Sequence, residues 1–431
     1  MNLNLYGHAK NWLMVDCGAT FNVPLDPEKD NDFSVKRHDV VVPDASFIIE
    51  NKDALCGIVI THAHEDHLGA LMHIWPQLDN CPIYTTRFTA EVIRRKFYRA
   101  DLFYELPIVE VRTGDILDIG PFTLRWLSIT HSIPEPQALL ITTSLGSVFH
   151  TADWKIDMQP VIGNKFKPSR FKALSKENIL SMVCDSTNAN RAGFSVSEKE
   201  CEYGLHQLIQ KANGRVIVTC FASNIARLLT LFKIARETGR YVCLFGQSLD
   251  NMISIARATD NWPDDYHPIP KRHIGYLPAR EVLIIATGSQ GESKAALSRM
   301  ADGTHRDCDL EKGDTVIFSS IVIPGNEKPI LKLVEKLKNQ DVTVYQSENC
   351  EYRIHASGHP NSEDLAQMYQ WVRPKSVIPT HGESLHMTAN AAIAKRVGVE
   401  TQMVGVNGDL FELAPNYQKR NQVVKTGRIP I

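Results

Sequence analysis

Thr61-His62-Ala63-His64-Glu65-Asp66-His67 follows directly on the apolar run Gly57-Ile58-Val59-Ile60. Three imidazoles and a carboxylate placed where a strand gives way to a loop can converge on one small volume. Neutral imidazole and carboxylate are ligands that Zn²⁺ favours, and a donor set without thiolate suits an open, catalytic ion better than a closed structural one. The competing reading is a loop that is rich in His by accident, and the HxHxDH spacing weighs against it.

Three further positions have the same form, a ligand type at the end of a strand. His131 follows Arg125-Trp126-Leu127-Ser128-Ile129-Thr130, Asp153 follows Val148-Phe149-His150-Thr151-Ala152, and His381 follows Val377-Ile378-Pro379-Thr380. Singly, each reads as a turn or capping residue. Joined to the HxHxDH loop, they supply the remaining donors of a two-metal centre.

The rest of the chain bounds what such a centre can serve. With 431 residues and 43% hydrophobic content, length favours two or three domains with substantial cores. A net charge of -2 gives no overall basic signal, so any nucleic-acid contact must be local. The nine cysteines include no CxxC pair and the N-terminus MNLNLYGHAK lacks a signal-peptide run, which points to a reducing cytoplasm. No stretch reaches the roughly 18 apolar residues of a membrane span, so no membrane role is expected.

Up to about residue 197 the chain reads as short strands and turns, among them WLMVDCG, CGIVITH, FTLRWLSIT, ALLITTS, SVFHTADW and ILSMVCDST. From Glu198 to about Gln340, helical patterns alternate with fully apolar strands (RVIVTC, YVCLFG, EVLIIATG, DTVIFSS), which suggests βαβ units and a parallel sheet. SVIPTHGE and NGDLFELAP then return to strand character. The expected division is a β-rich domain over residues 1–197, an inserted α/β domain over 198–345, and a completing segment over 346–431.

THAHEDH, His131-Ser132, HTADW, CDSTNA, TGSQGE, IPGNEK, HASGH and PTHGE occur in that order along nearly the whole chain. The set resembles the metallo-β-lactamase/β-CASP nucleases, and most closely the bacterial ribonuclease J family. The resemblance implies a metallo-β-lactamase αββα sandwich with an inserted β-CASP α/β domain. It implies one metal on His62, His64 and His131, a second on Asp66, His67 and His381, and Asp153 bridging both. The expected cofactor is Zn²⁺, two per chain, with Mn²⁺ or Mg²⁺ as alternatives.

Two metals would activate a water and neutralise charge on a phosphodiester, but the departing ribose oxygen still needs a proton. His359, in His355-Ala356-Ser357-Gly358-His359, resembles the second β-CASP motif and is the candidate general acid. A helix start that simply puts His355 and His359 on one face is the alternative, and Ser357-Gly358 argues for a loop. Asp185 matches the first β-CASP motif, where an acid supports the metal ligands, with a buried cap as the alternative. His355, Ser357 and Gly358 are expected to contact phosphate.

In the inserted domain, Phe221-Ala222-Ser223-Asn224, Thr287-Gly288-Ser289-Gln290-Gly291-Glu292 and Ile323-Pro324-Gly325-Asn326-Glu327-Lys328 each follow an apolar strand. The resemblance places a terminal-nucleotide pocket there, with Phe221 stacking on a base and Ser223 in the cradle; alone, each loop is an ordinary strand-to-helix turn. Arg94-Arg95-Lys96-Phe97-Tyr98-Arg99 and Lys165-Phe166-Lys167-Pro168-Ser169-Arg170-Phe171-Lys172 mix cations with aromatics and could hold an RNA backbone; a solvated helix face or loop is an equal reading.

Family members usually begin with a Gly-rich strand ahead of this start and carry a small C-terminal domain that assists dimerisation. The first strand is therefore expected to be missing or replaced, and a homodimer or higher oligomer is left open. The expected function is a ribonuclease, 5′-to-3′ on 5′-monophosphate RNA and also endonucleolytic, in RNA processing and decay. The alternatives are a DNA-processing metallo-nuclease and a non-catalytic RNA-binding homologue. A lactamase or thioester hydrolase would need neither the inserted domain nor HASGH.

Overall fold

The computed structural model describes every residue except Asn31, Phe33 and Pro324. Pro324, part of the loop expected over 323–328, thus lies outside the described residues. Two compact units account for the chain. The first comprises Met1–Met158, Asn164–Ser195 and Gly358–Ile431; the second comprises Gln159–Gly163 and Val196–Ser357.

The first unit is built around two large sheets, with a two-stranded and a three-stranded sheet beside them. One large sheet contains, in order, Asn4–His8, Asn11–Val15, Leu55–Val59, Ile83–Thr85 and Ile108–Glu110. Its edge strand is Asn4–His8, hairpinned onto Asn11–Val15. The other runs Thr401–Gln402, Ser376–Thr380, Ile179–Asp185, Gly146–His150, Gln137–Thr143, Phe122–Ser128 and Ile116–Ile119. Alternation sorts the side chains between its faces. Leu124, Trp126, Leu139 and Ile141 meet Leu13, Val15 and Val59 of the first sheet in one core. Leu127, Ala138 and Leu140 turn the other way, into a core shared with Leu365, Met368 and Tyr369 of helix Ser362–Val372 and with Ile393 and Ala394 of helix Ser384–Arg396.

The second unit holds a five-stranded sheet in which every neighbouring pair is parallel. Its order is Tyr241–Phe245, Val282–Ala286, Val216–Thr219, Thr315–Phe318, Thr343–Tyr345. The first strand in sequence sits at the centre, so the chain builds one side and then crosses to the other. Loops leaving the C-terminal ends on either side of that strand flank a topological switch point.

The chain returns to the first unit at Gly358, later than the 345 expected from sequence. The segment between is tied to the second unit by its backbone. Ile354 O accepts from Arg227 Nη1 at 3.0 Å and from Ser319 Oγ at 2.7 Å. Residues 355–359 form neither helix nor strand, so the helix-start reading of His355 and His359 falls away.

Candidate metal centre

Strand direction explains why residues scattered from 16 to 381 meet. Asn11–Val15 and Leu55–Val59 are parallel neighbours, and they deliver Asp16 and His62 from the same end. Gly146–His150, Ile179–Asp185 and Ser376–Thr380 are likewise parallel, and they deliver Asp153, Asp185 and His381. Phe122–Ser128 is two antiparallel steps from Gly146–His150, hence runs the same way and delivers His131. Three residues at these turns adopt left-handed backbone: Asp16 (φ 65°), Ala152 (φ 51°) and His381 (φ 53°). Such conformations are strained outside glycine and concentrate at functional sites.

Two donor groups result. His62, His64, His131 and Asp153 offer ligand atoms that all lie within 4.8 Å of one another, and so do Asp66, His67, Asp153 and His381. His64 Nδ1 is 3.2 Å from His62 Nε2 and 3.0 Å from His131 Nε2. Asp153 Oδ2 is 3.7 Å from both His62 Nε2 and His131 Nε2, and 3.2 Å from His67 Nε2. Asp66 Oδ2 lies 2.9 Å from His381 Nε2 and 3.4 Å from His67 Nε2. Asp153 is therefore common to both groups. A third group, Asp153, Asp185, His359 and His381, adjoins them.

The outer nitrogens are occupied. His67 Nδ1 donates to Asp16 Oδ2 at 2.7 Å, and His131 Nδ1 donates to Gly358 O at 2.7 Å. His62 Nδ1 lies 3.0 Å from Thr61 Oγ1, itself 3.0 Å from Asp16 Oδ1. His381 Nδ1 lies 2.8 Å from Thr187 Oγ1, whose hydroxyl donates to Asp185 Oδ1 at 2.7 Å. Partners of this kind fix each imidazole's tautomer and turn the other nitrogen's lone pair inward. Asp153 Oδ1 is buried and accepts no hydrogen bond among the described residues, with His381 Nδ1 facing it at 3.4 Å. A buried carboxylate oxygen without a donor is costly unless a cation completes it. The residues present thus fit divalent metal ions.

Electrostatics divides the histidines into two classes. Burial, with repulsion from neighbouring histidines, pushes His62 and His131 well below the ordinary imidazole range, and burial pushes His64 down to about 4. For His381, burial is outweighed by Asp153, Asp185 and Asp66, which lift it to about 10; Asp153, Asp66 and Asp16 likewise raise His67. His359 is raised as well, because Asp185 and Asp153 overcome its burial. Its Nδ1 is held by Asp185 Oδ2 at 2.8 Å.

Two contributors escaped the reading of the sequence. Asp16 accepts from Thr61 N at 2.8 Å as well as from His67, and so ties two strand ends together. Its signal was present, an acid closing the apolar run Trp12-Leu13-Met14-Val15, but a lone Asp there reads as a turn. Asn2 is the other. Its backbone N donates to Asp66 O at 2.7 Å, and its Nδ2 lies 3.0 Å from His67 Nε2 and 3.3 Å from Asp66 Oδ2. Nothing local in MNLN announces a contact with residues more than sixty positions away.

The other expected site residues fall as follows. Gly358 is buried, and a Cβ there would lie 2.5 Å from His131 Cε1, so its lack of a side chain serves close approach to that ring. His355 and Ser357 are half-buried and belong to the second unit. So do Phe221 and Ser223, in the loop after Val216–Thr219, where Asn224 caps helix Ile225–Glu237 by accepting from Arg227 N. In the 287–292 loop, Gln290 bridges to the next loop by donating to Ile321 O at 2.9 Å and accepting from Ile323 N at 2.9 Å. Of the two cationic and aromatic stretches, 165–172 places Phe166 and Phe171 in the core, ring on ring at 4.9 Å. The stretch 94–99 buries Phe97 but leaves Tyr98 70% exposed.

Family models match three successive stretches. A beta-lactamase superfamily domain matches residues 11–174, a ribonuclease J beta-CASP domain matches 213–337, and a Zn-dependent metallo-hydrolase RNA specificity domain matches 349–404. Ribonuclease J of Sinorhizobium meliloti is 40% identical over all of this chain and 75% of its own length. Ribonuclease J of Mycolicibacterium smegmatis is 34% identical over 99% of this chain and 75% of its own, and ribonuclease J 1 of Streptococcus pyogenes is 36% identical over 95% and 72%. A crystal structure of a protein of unknown function from Enterococcus faecalis V583 superimposes with a TM-score of 0.61 at 15% identity, covering 94% of each chain. That last likeness concerns the fold alone.

Proposed function

This chain belongs to the ribonuclease J family, and on that footing we propose that it hydrolyses RNA phosphodiesters, 5′-to-3′ from a 5′-monophosphate end and also internally, in RNA processing and decay. The carrying observation is Asp153, a buried carboxylate common to both donor groups, one oxygen of which accepts no hydrogen bond among the described residues. His62, His64 and His131 would hold one ion with it, and Asp66, His67 and His381 the other. Imidazole-rich donors favour Zn²⁺, with Mn²⁺ or Mg²⁺ as alternatives. When bound, such ions supply Lewis acidity and a water acidified towards neutral pH.

The remaining steps fall to the chain's own groups. Asp66 and Asp153, held well below the ordinary carboxylate range as nearby histidines overcome their burial, stay ionised and ready to ligate. Asp16 orients His67, and Gly358 orients His131. His359, whose hold on a proton Asp185 and Asp153 strengthen against its burial, is placed to carry the proton that a departing ribose oxygen requires. Asp185 acts through it, as a positioning residue. In the second unit, Phe221 and Ser223 would receive the RNA end, a reading supported by the position of the 221–224 loop beside the sheet's switch point, and His355 and Ser357 would contact phosphate.

The test is incubation with 5′-monophosphorylated and 5′-triphosphorylated RNA, and with DNA of the same sequence, with and without chelator. Mononucleotides are expected sooner from the monophosphate RNA than from the triphosphate RNA, which must first be cut internally, and both chelation and Asp66→Ala should abolish their release. Undiminished cleavage by Asp66→Ala, or equal cleavage of DNA, would overturn the proposal.

A further inference from the structure

Helix Arg87–Arg99 and the loop after it carry aromatic surface that the hydrolytic centre leaves unexplained. Burial accounts for Phe88, Ile93 and Phe97 on this helix. It does not account for Tyr98, 70% exposed, Phe103, 74% exposed, or Tyr104, 48% exposed. Single exposed rings are ordinary, but several gathered within one short stretch mark a surface kept for a ligand. These rings are ordered by one another. Tyr98 and Phe103 meet edge to face with centroids 5.8 Å apart, and Tyr104 meets Trp75 in the same way at 5.6 Å. Together with Arg94 they wall an open cavity of about 460 Å³.

Two observations select the ligand. Residues 87–106 hold five cations (Arg87, Arg94, Arg95, Lys96, Arg99) against three acids (Glu91, Asp101, Glu105), and Arg94, Arg95 and Lys96 are paired with Glu110, Glu91 and Glu65, so the patch offers its charge through exchangeable bridges. Arg94 borders the cavity and pairs with Glu110 at 2.7 Å, in an exposed bridge of the kind that a phosphate can replace at little cost. The second is location: Lys96 Nζ sits 2.6 Å from Glu65 Oε1, and Glu65 stands between His64 and Asp66. The patch is carried on a helix roped to the metal-binding loop.

We propose that this patch is an accessory site for single-stranded RNA, stacking on Tyr98 and Phe103 bases that lie beyond the two joined by the scissile phosphodiester. Arg94 meets the backbone between them. Stacking of this kind tolerates any sequence, because every base offers a π face. The inference rests on the ribonuclease reading above.

The test uses the full chain carrying Asp66→Ala, so that RNA is bound and not cut, and fluorescence anisotropy with a labelled long oligouridylate. In that background Tyr98→Ala with Phe103→Ala should weaken binding about tenfold or more, and Tyr98→Phe should not. In the otherwise native chain, the same double substitution should leave turnover of a dinucleotide unchanged while raising KM for long RNA. Unaltered oligonucleotide affinity in a chain that does cut RNA overturns this inference alone. Loss of a dimer with RNA affinity intact makes the patch a protein contact and overturns it too. A native chain that neither binds nor cuts RNA removes the ribonuclease reading itself, and this inference with it.

Discussion

Gly358 measures how closely backbone hems in the candidate ligands. A methyl group there collides with His131, whose Nδ1 also needs the Gly358 carbonyl. Gly358→Ala is therefore expected to lower metal affinity and RNA turnover at least about tenfold while shifting Tm little, as measured by metal titration beside calorimetry. Asp16→Asn should cost about 10–100-fold in affinity for one of two ions, because the carboxylate that orients His67 is lost. Equal occupancy of both sites in that variant would contradict the ligand assignment. Protonation gives a third expectation. His381, raised to about 10, stabilises the metal-free fold fully below its ordinary value of 6.5 and loses that contribution as pH climbs towards 10. Asp66 and Asp153, both lowered, contribute above about 3.8 and lose their effect as acid protonates them. His62, His64 and His131, all lowered, stay neutral in the fold while the unfolded chain takes up protons, so stability also falls as pH drops below 6.5. The metal-free chain should thus be most stable near about pH 6.5, and bound metal should remove the alkaline decline by replacing the protons. Tm against pH, with and without chelator, checks this. The THAHEDH donors were legible because they are local; Asn2 was not, because its value lies in a contact that only the folded sheet creates.

Among the elements, the second unit depends on one buried cation. Arg227 is fully buried, with Nη2 2.9 Å from Glu198 Oε2 and Nη1 3.1 Å from Ser319 O and 3.0 Å from Ile354 O. It joins helix Glu198–Lys211, helix Ile225–Glu237 and the segment leading to His355. Arg227→Met should destabilise this unit by about 3–5 kcal/mol in urea unfolding, since the buried Glu198 loses the guanidinium that pairs with it. Adding Glu198→Leu should recover part of the loss. The sheet strands here were legible because strands covered on both faces are continuously apolar, as in Val282-Leu283-Ile284-Ile285-Ala286. The last strand, Thr343–Tyr345, has three residues and an exposed Thr343, too little pattern to stand out.

Across the whole molecule, sequence-distant pairing was the least legible feature. Arg428–Pro430 pairs with His38–Pro43, which pairs in turn with Thr20–Val23, and Arg428 Nη2 donates to Asp30 Oδ2 at 2.9 Å. No periodicity in a three-residue strand foretells a partner almost four hundred positions away. Removing residues 427–431 should expose the 20–43 region to protease at temperatures where the full chain resists, as read by limited digestion.

The interrupted order of the first unit also has a temporal meaning. His62, His64, His131 and Asp153 all leave the ribosome before the insertion is made, whereas His381 follows it. Because chains begin to fold from the N-terminal side during synthesis, one donor group has all its side chains in hand early, while His381 and Gly358, whose carbonyl holds His131, arrive only with the final segment.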